Sequence, residues 1–200
     1  MAVITEKKQK NKKRKRVSKE LIYEMRHGSP IYYRDYDKVI SGEKTLEEVM
    51  GSGGLQGYLV VLIANILFEK LKEKYFILAN EVGYKFAPRS WYNLDIAIID
   101  KEKLPKIPEG YITVPPEVVI EIDTKADLRK FKNPQDYFHR KTQDLLDSGV
   151  RKVIWIFTKE KKIWVAEKGK RWFITDWDDT IDVLGNIKLN LNELLEKEKH

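Results

Sequence analysis

The sequence predicts an α/β (α+β) domain in which a mixed sheet is flanked by helices. Three observations carry that expectation. Residues 93–99 (NLDIAII) and 117–123 (EVVIEID) are short, almost unbroken apolar runs rich in β-branched residues, the pattern of strands buried on both faces. From Leu55 onward, Leu59, Leu62, Ile63, Ile66, Leu67 and Leu71 recur at three- and four-residue spacing, the mark of a long helix. The order strand, helix, strand across 117–157 predicts a βαβ-like unit. The length of 200 residues fits one domain with a tail, and a hydrophobic share of 42% suffices for a core.

The elements follow in chain order. Residues 18–40 mix aromatics and charges around a turn at Gly28–Pro30, and predict a short helix followed by an edge element. Gly51, Gly53 and Gly54 break the chain ahead of the long helix, whose charges cluster from Glu69 to Lys74. Residues 76–86 predict a strand around Gly83, and 93–99 the next. A connection holding Pro105, Pro108, Pro115 and Pro116 leads to the strand at 117–123. A second helix is expected from Pro134 to Ser148: Asn133 suits the N-cap, Pro134 the first helical position, Asp136 the positive first turn and Gly149 the C-terminal stop. Residues 151–157 predict a strand, 162–166 and 171–174 a hairpin around Gly169, and 191–199 a last helix capped by Asn190.

Composition narrows the chemistry. The chain has no cysteine, which excludes disulfides, zinc–thiolate sites and cysteine nucleophiles and fits a reducing cytoplasm. No signal peptide is visible after Met1, and the longest apolar run, Tyr58–Ala64, is too short to cross a bilayer, so no membrane role is expected. The formal net charge is +7, yet residues 7–19 hold nine Lys and Arg and no acid. Setting those nine aside from the 38 basic residues, against 31 acidic ones, leaves the rest of the chain near −2. Residues 1–19 therefore read as a basic tail, expected to be disordered when free, and 20–200 as the domain. The tail either solubilises the protein or grips phosphate backbones without sequence preference.

Two carboxylates stand inside the apolar strands, Asp95 in LDIAII and Glu121 in VVIEID. A lone buried carboxylate is costly unless it is paired, hydrogen-bonded or metal-bound, and two on successive strands offset that cost by sharing a cation. Hard oxygen donors suit Mg²⁺ or Mn²⁺. The alternative is that each acid sits at an exposed strand end. Strand alternation places Glu121 and Asp123 on one face with Val119. On the second helix Lys141 lies four residues from both Tyr137 and Leu145, on the inward face. It either snorkels to water or turns its ammonium on the acids.

The stretch NLDIAII … PPEVVIEID … FHRKTQDLLDSGVRKVIWI resembles the bacterial putative restriction endonuclease family, a domain of unknown function within the PD-(D/E)xK nuclease superfamily. The matching elements are Asp95, Pro115-Pro116, Glu121, Lys141, Gly149-Val150 and Trp155, within a resemblance running from about Leu21 to Leu195. It implies a restriction-endonuclease-like sheet and metal-dependent hydrolysis of phosphodiesters, of DNA by preference. Asp95 and Glu121 would hold one or two Mg²⁺ or Mn²⁺ ions, with the Ile122 carbonyl and Asp123 as further ligands, and Lys141 would serve as the catalytic lysine. Glu81, ahead of Gly83-Tyr84, and Gln56, where relatives carry His or Glu, are supporting positions. Three departures matter: Leu94 replaces the motif proline, Asp123 stands where an ExK motif has lysine, and the longer loop after Glu121 offers Lys125 as a competing catalytic lysine. Phosphate contacts are expected from Lys12, Lys13, Arg14 and Arg16 in the tail and from Arg129 and Lys130 in the loop. A homodimer would suit double-strand cleavage. The rival readings are a catalytically degenerate nuclease fold that binds nucleic acid and a hydrolase of small phosphoesters. No P-loop is present, the histidines lack ligand spacing, and the five tryptophans read as core or interface rather than base stackers.

Overall fold

The computed structural model describes residues 17–197, so the tail residues Lys12, Lys13, Arg14 and Arg16 lie outside the described residues. The described chain opens with a single 3₁₀ turn, Lys19–Leu21, capped by Ser18. A hairpin of β1 (Ile22–Arg26) and β2 (Ser29–Tyr32) follows. Two short helices come next, α1 (Tyr36–Ser41) and α2 (Leu46–Met50), the latter closed by a Thr45/Glu48 capping box. Residues 22–41 thus reverse the expected order of helix and edge element. The reason is the turn: His27 and Gly28 both adopt left-handed φ (48° and 78°), which closes a two-residue hairpin.

The long helix α3 (Gly54–Leu71) precedes β3 (Tyr75–Ala87) and β4 (Ser90–Asp100), a long antiparallel pair. Then come β5 (Val118–Ile122), α4 (Pro134–Asp147) and β6 (Lys152–Phe157). β5 and β6 pair in parallel with α4 as the crossover, the βαβ-like unit that the sequence predicts. β7 (Lys162–Glu167) and β8 (Phe173–Asp176) form the expected hairpin. A small hairpin, β9 (Ile181–Leu184) and β10 (Ile187–Leu189), and α5 (Leu191–Lys197) complete the described chain.

The main sheet has eight strands in the order β2-β1-β4-β5-β6-β7-β8, with β3 also paired to β4. It is mostly antiparallel. β3 runs beside both halves of β4 and so occupies one whole edge of it. β1 and β5 must therefore share the other edge: β1 meets it at Trp91 and β5 at Ile96–Ile98. Between those contacts the sheet forks, and the backbone of Asn93–Asp95 is left for side chains to satisfy.

Strand alternation divides the core. Ile96, Ile98, Ile120, Ile122, Ile154 and Ile156 face α3, through Leu59, Ile63 and Leu67. Val119, Val153 and Trp155 face α4, through Tyr137, Leu145 and Leu146. Each such side chain buried contributes about 1.5–3 kcal/mol. By length and composition α3 is apolar enough to cross a bilayer, and three of its residues, Leu59, Ile63 and Leu67, are fully buried on the sheet. Its outer face leaves Leu55, Val61 and Phe68 exposed.

Gly149 ends α4 with φ 113°, and a Cβ there would lie 3.0 Å from the Pro115 ring. Both the left-handed backbone and the lack of space require glycine. Gly149→Ala is expected to lower the unfolding free energy by about 1–3 kcal/mol, read as a shift of the urea midpoint.

Candidate active site

The fork places Asp95. Continuing the β4–β5 register by one residue from Ile96 opposite Ile120 sets Asp95 against Glu121, both on the α4 face. Across β4's other edge the register slips: Ala79 pairs with Ile96 and Val82 with Leu94. The extra residue forms a bulge opposite Asp95, with Asn80 and Glu81 both in left-handed φ (75° and 58°). Bulges re-aim side chains, and this one brings Glu81 close enough for its charge to act on Asp95.

Asp95 is 7% exposed, and its Oδ2 accepts the Ile122 N–H at 2.7 Å. Burial raises its pKa to about 6, against the opposing pull of that hydrogen bond. Glu121 is 1% exposed. Its Oε2 lies 3.1 Å from Lys141 Nζ, whereas its Oε1 is buried with no hydrogen-bond partner. Burial pushes its pKa well up, opposed by Lys141.

Lys141 reaches the cluster from α4, as its spacing on the helix predicts. Its ammonium does not snorkel; it is fully buried. Nζ donates to Glu24 Oε1 at 2.6 Å and to the Asn93 carbonyl at 2.9 Å, and pairs with Glu121. Burial alone would lower its pKa, but Glu121 and Glu24 outweigh that and hold it above its ordinary value. The ammonium also lies over the Tyr92 and Trp155 rings.

Glu24, on β1, is the functional residue that sequence reasoning missed. It is completely buried, and its Oε2 accepts the Tyr137 hydroxyl at 2.8 Å. The available signal was a single acid inside IYEMR, which becomes conspicuous only once 22–26 is read as a strand.

The other expected site residues divide. Ile122 lends both backbone groups at the fork, its N–H to Asp95 and its carbonyl to Gln56 Nε2 at 2.8 Å. Gln56 thus does reach the site, from the first turn of α3. Glu81 forms an ion pair with Lys125, so Lys125 meets Glu81 while Lys141 meets Glu121. Asp123 departs from expectation. It leaves β5 with φ 55°, which breaks the alternation, and its carboxylate binds the Thr158 N–H (2.9 Å) and hydroxyl (2.5 Å) instead of joining Glu121. Arg129 is engaged by Asp37 and Asp127, and Lys130 lies over the Tyr32 ring.

The donor set fits a hard divalent cation at Asp95 and Glu121. Asp95, Glu121 and Glu24 place three buried carboxylates around one ammonium, and Glu121 Oε1 is orphaned. Either protons or a cation must offset that excess. Among the described residues no group of three or more His, Asp or Glu side chains already converges as a complete metal site. A cavity of about 1080 Å³ opens beside the cluster, lined by Gln56, Asp123, Thr124 and Lys125 among others. Asp95 and Glu121 are not among the residues that line it.

No family model and no curated protein matches this chain. Among solved structures, the chain resembles one described as a "putative nuclease belonging to DUF820" from Anabaena variabilis ATCC 29413, with a TM-score of 0.61 over 86% of this chain and 89% of that one. Identity between the two is 17%, so the likeness is one of fold: a mixed, mostly antiparallel sheet flanked by helices.

Proposed function

We propose that this protein is a metal-dependent endonuclease that hydrolyses phosphodiester bonds, of DNA by preference. The observation that carries the reading is the buried Asp95–Glu121–Lys141 cluster with its orphaned Glu121 Oε1, on a fold shared with a protein named as a nuclease. Asp95 and Glu121 would hold Mg²⁺ or Mn²⁺, with the Ile122 carbonyl beside them. When bound, that ion supplies Lewis-acid polarisation of the phosphoryl oxygen and lowers the pKa of an attacking water. The Ile122 N–H fixes the orientation of Asp95. Lys141 places positive charge where an anionic transition state develops, held there by Glu24 and, through Glu24, by Tyr137. A cytoplasmic location and a homodimer belong to the same reading; the exposed apolar residues on the outer face of α3 favour the dimer.

One observation favours the catalytically degenerate alternative, a nuclease fold that only binds nucleic acid. The three protons of Lys141 are matched by Glu24, Asn93 and Glu121, which leaves none for a substrate in this conformation. Plasmid cleavage in Mg²⁺ or Mn²⁺ decides between the two. Wild type is expected to nick and linearise the plasmid and Asp95→Ala is not; equal behaviour of the two proteins defeats the nuclease reading.

A further inference from the structure

One wall of the cavity is aromatic; its rings pack against the core on one side and line the cavity on the other. Cross-strand register sets Trp155, Trp164 and Ile174 in a row over β6, β7 and β8, all on the α4 face. α4 covers only the first: Trp155 is fully buried, Trp164 is half-buried and Ile174 is 66% exposed. Phe157, one pleat further along β6, packs edge-on against Phe138 of α4 at 5.0 Å between ring centroids. Phe138, Phe157, Trp164 and Ile174 thus line the same cavity as Gln56, Asp123 and Lys125.

The cavity is lined by Arg34, Lys44, Lys125, Lys159 and Lys162 beside the acids Asp35, Glu48, Asp123 and Glu160. Lys162 and Lys125 are tied to Asp176 and Glu81. Lys159 has no acidic partner among the described residues, and Arg34 is bonded to the Thr124 carbonyl, which leaves its charge uncompensated. An apolar aromatic surface beside unpaired cations is what an unstacked nucleotide needs: rings for the base, charge for the phosphate. The burial of the acids points the same way. Asp95 and Glu121 are only 7% and 1% exposed, too buried for phosphates held on a rigid duplex, so a strand must be thin and flexible to reach them.

We infer that the wall formed by Phe138, Phe157, Trp164 and Ile174 is a stacking platform for unpaired bases, and that the strand this cavity takes is single-stranded DNA. The inference rests on the proposed nuclease reading for its direction but is tested by binding alone. The full-length protein carrying Asp95→Ala, without added metal, is titrated against fluorescein-labelled single-stranded DNA of about 15 nucleotides and against a duplex of equal length. Anisotropy is read at matched salt. The basic tail strengthens both by the same sequence-independent route, so the difference isolates the platform. The single strand is expected to bind about 10-fold more tightly, with Trp164→Ala removing most of that preference and Trp164→Phe retaining it. Ile174→Glu, at an exposed position where folding is not at risk, is expected to weaken single-strand binding as well.

Equal affinity for duplex and single strand overturns the inference. So does unchanged single-strand affinity in both Trp164→Ala and Ile174→Glu. A protein that shows the preference yet cuts no plasmid upholds the platform and defeats hydrolysis. One that cuts duplex plasmid but shows no preference does the reverse.

Discussion

Lys141→Met lowers the unfolding free energy by about 3–5 kcal/mol, as expected when one partner of a buried ion pair is removed and the other stays behind. The variant keeps most of the side-chain volume, so little of that loss is cavity. What remains is Glu24 with the Tyr137 hydroxyl, Glu121 with no partner, and Asp95 nearby, all in an interior that penalises charge. The pH dependence distinguishes this cause from a packing defect. Burial already raises the pKa values of Glu24 and Glu121, and Lys141 is the chief group pulling them down. Without it both rise further above their unfolded values. A carboxyl whose folded pKa exceeds its unfolded one binds more protons in the folded state, so stability falls as pH rises between those two values. The deficit of the variant is therefore expected to be large at pH 8 and to shrink toward pH 5, measured as urea midpoints at each pH. Combining Glu24→Gln with Lys141→Met is expected to cost less than the sum of the single changes by about 1–3 kcal/mol. For contrast, the solvent-facing Asp136–Arg140 pair on the same helix contributes little.

The parts of this site that were legible in the sequence are those written in a short period. The apolar runs LDIAII and VVIEID mark Asp95 and Glu121 as acids inside buried strands, and i±4 spacing from Tyr137 and Leu145 puts Lys141 on the inward face of its helix. Those signals need only neighbouring residues. Glu24 was not legible because its partner is 117 residues away, and nothing local says that β1 joins β4 beside the acids. Nor was the placement of Glu81, which depends on two consecutive left-handed residues in a bulge, a backbone choice that Asn80 tolerates but does not announce. Asp123 fails for a related reason. Alternation holds only while the strand continues, and β5 ends one residue earlier, so a left-handed turn hands the carboxylate to Thr158. The family resemblance placed Asp123 among the ligands by position. On the proposed reading the metal would fall to Asp95 and Glu121, while Glu81 is paired with Lys125.

Glu121→Gln is the change that separates the needs of the fold from those of the chemistry. Glu121 sits on a central strand, 1% exposed, with one oxygen toward Lys141 and the other toward nothing. An unsatisfied buried acceptor costs about 1–3 kcal/mol, more when it is charged. A neutral isostere keeps the shape of the side chain and removes the charge, while Lys141 retains Glu24 and the Asn93 carbonyl. The metal-free variant is therefore expected to be at least as stable as the wild type in urea. Its response to metal should be opposite. Removing partners that merely orient a metal ligand already costs about 10–100-fold in metal affinity or activity, so losing a ligand itself is expected to lower plasmid cleavage by more than about 100-fold. The rise in Tm expected of the wild type in Mn²⁺ should vanish as well, because only binding to the folded state produces it. A variant as stable as expected that is still stabilised by Mn²⁺ would place the metal elsewhere. One that unfolds instead would make Glu121 a structural partner of Lys141, holding α4 to the fork of the sheet.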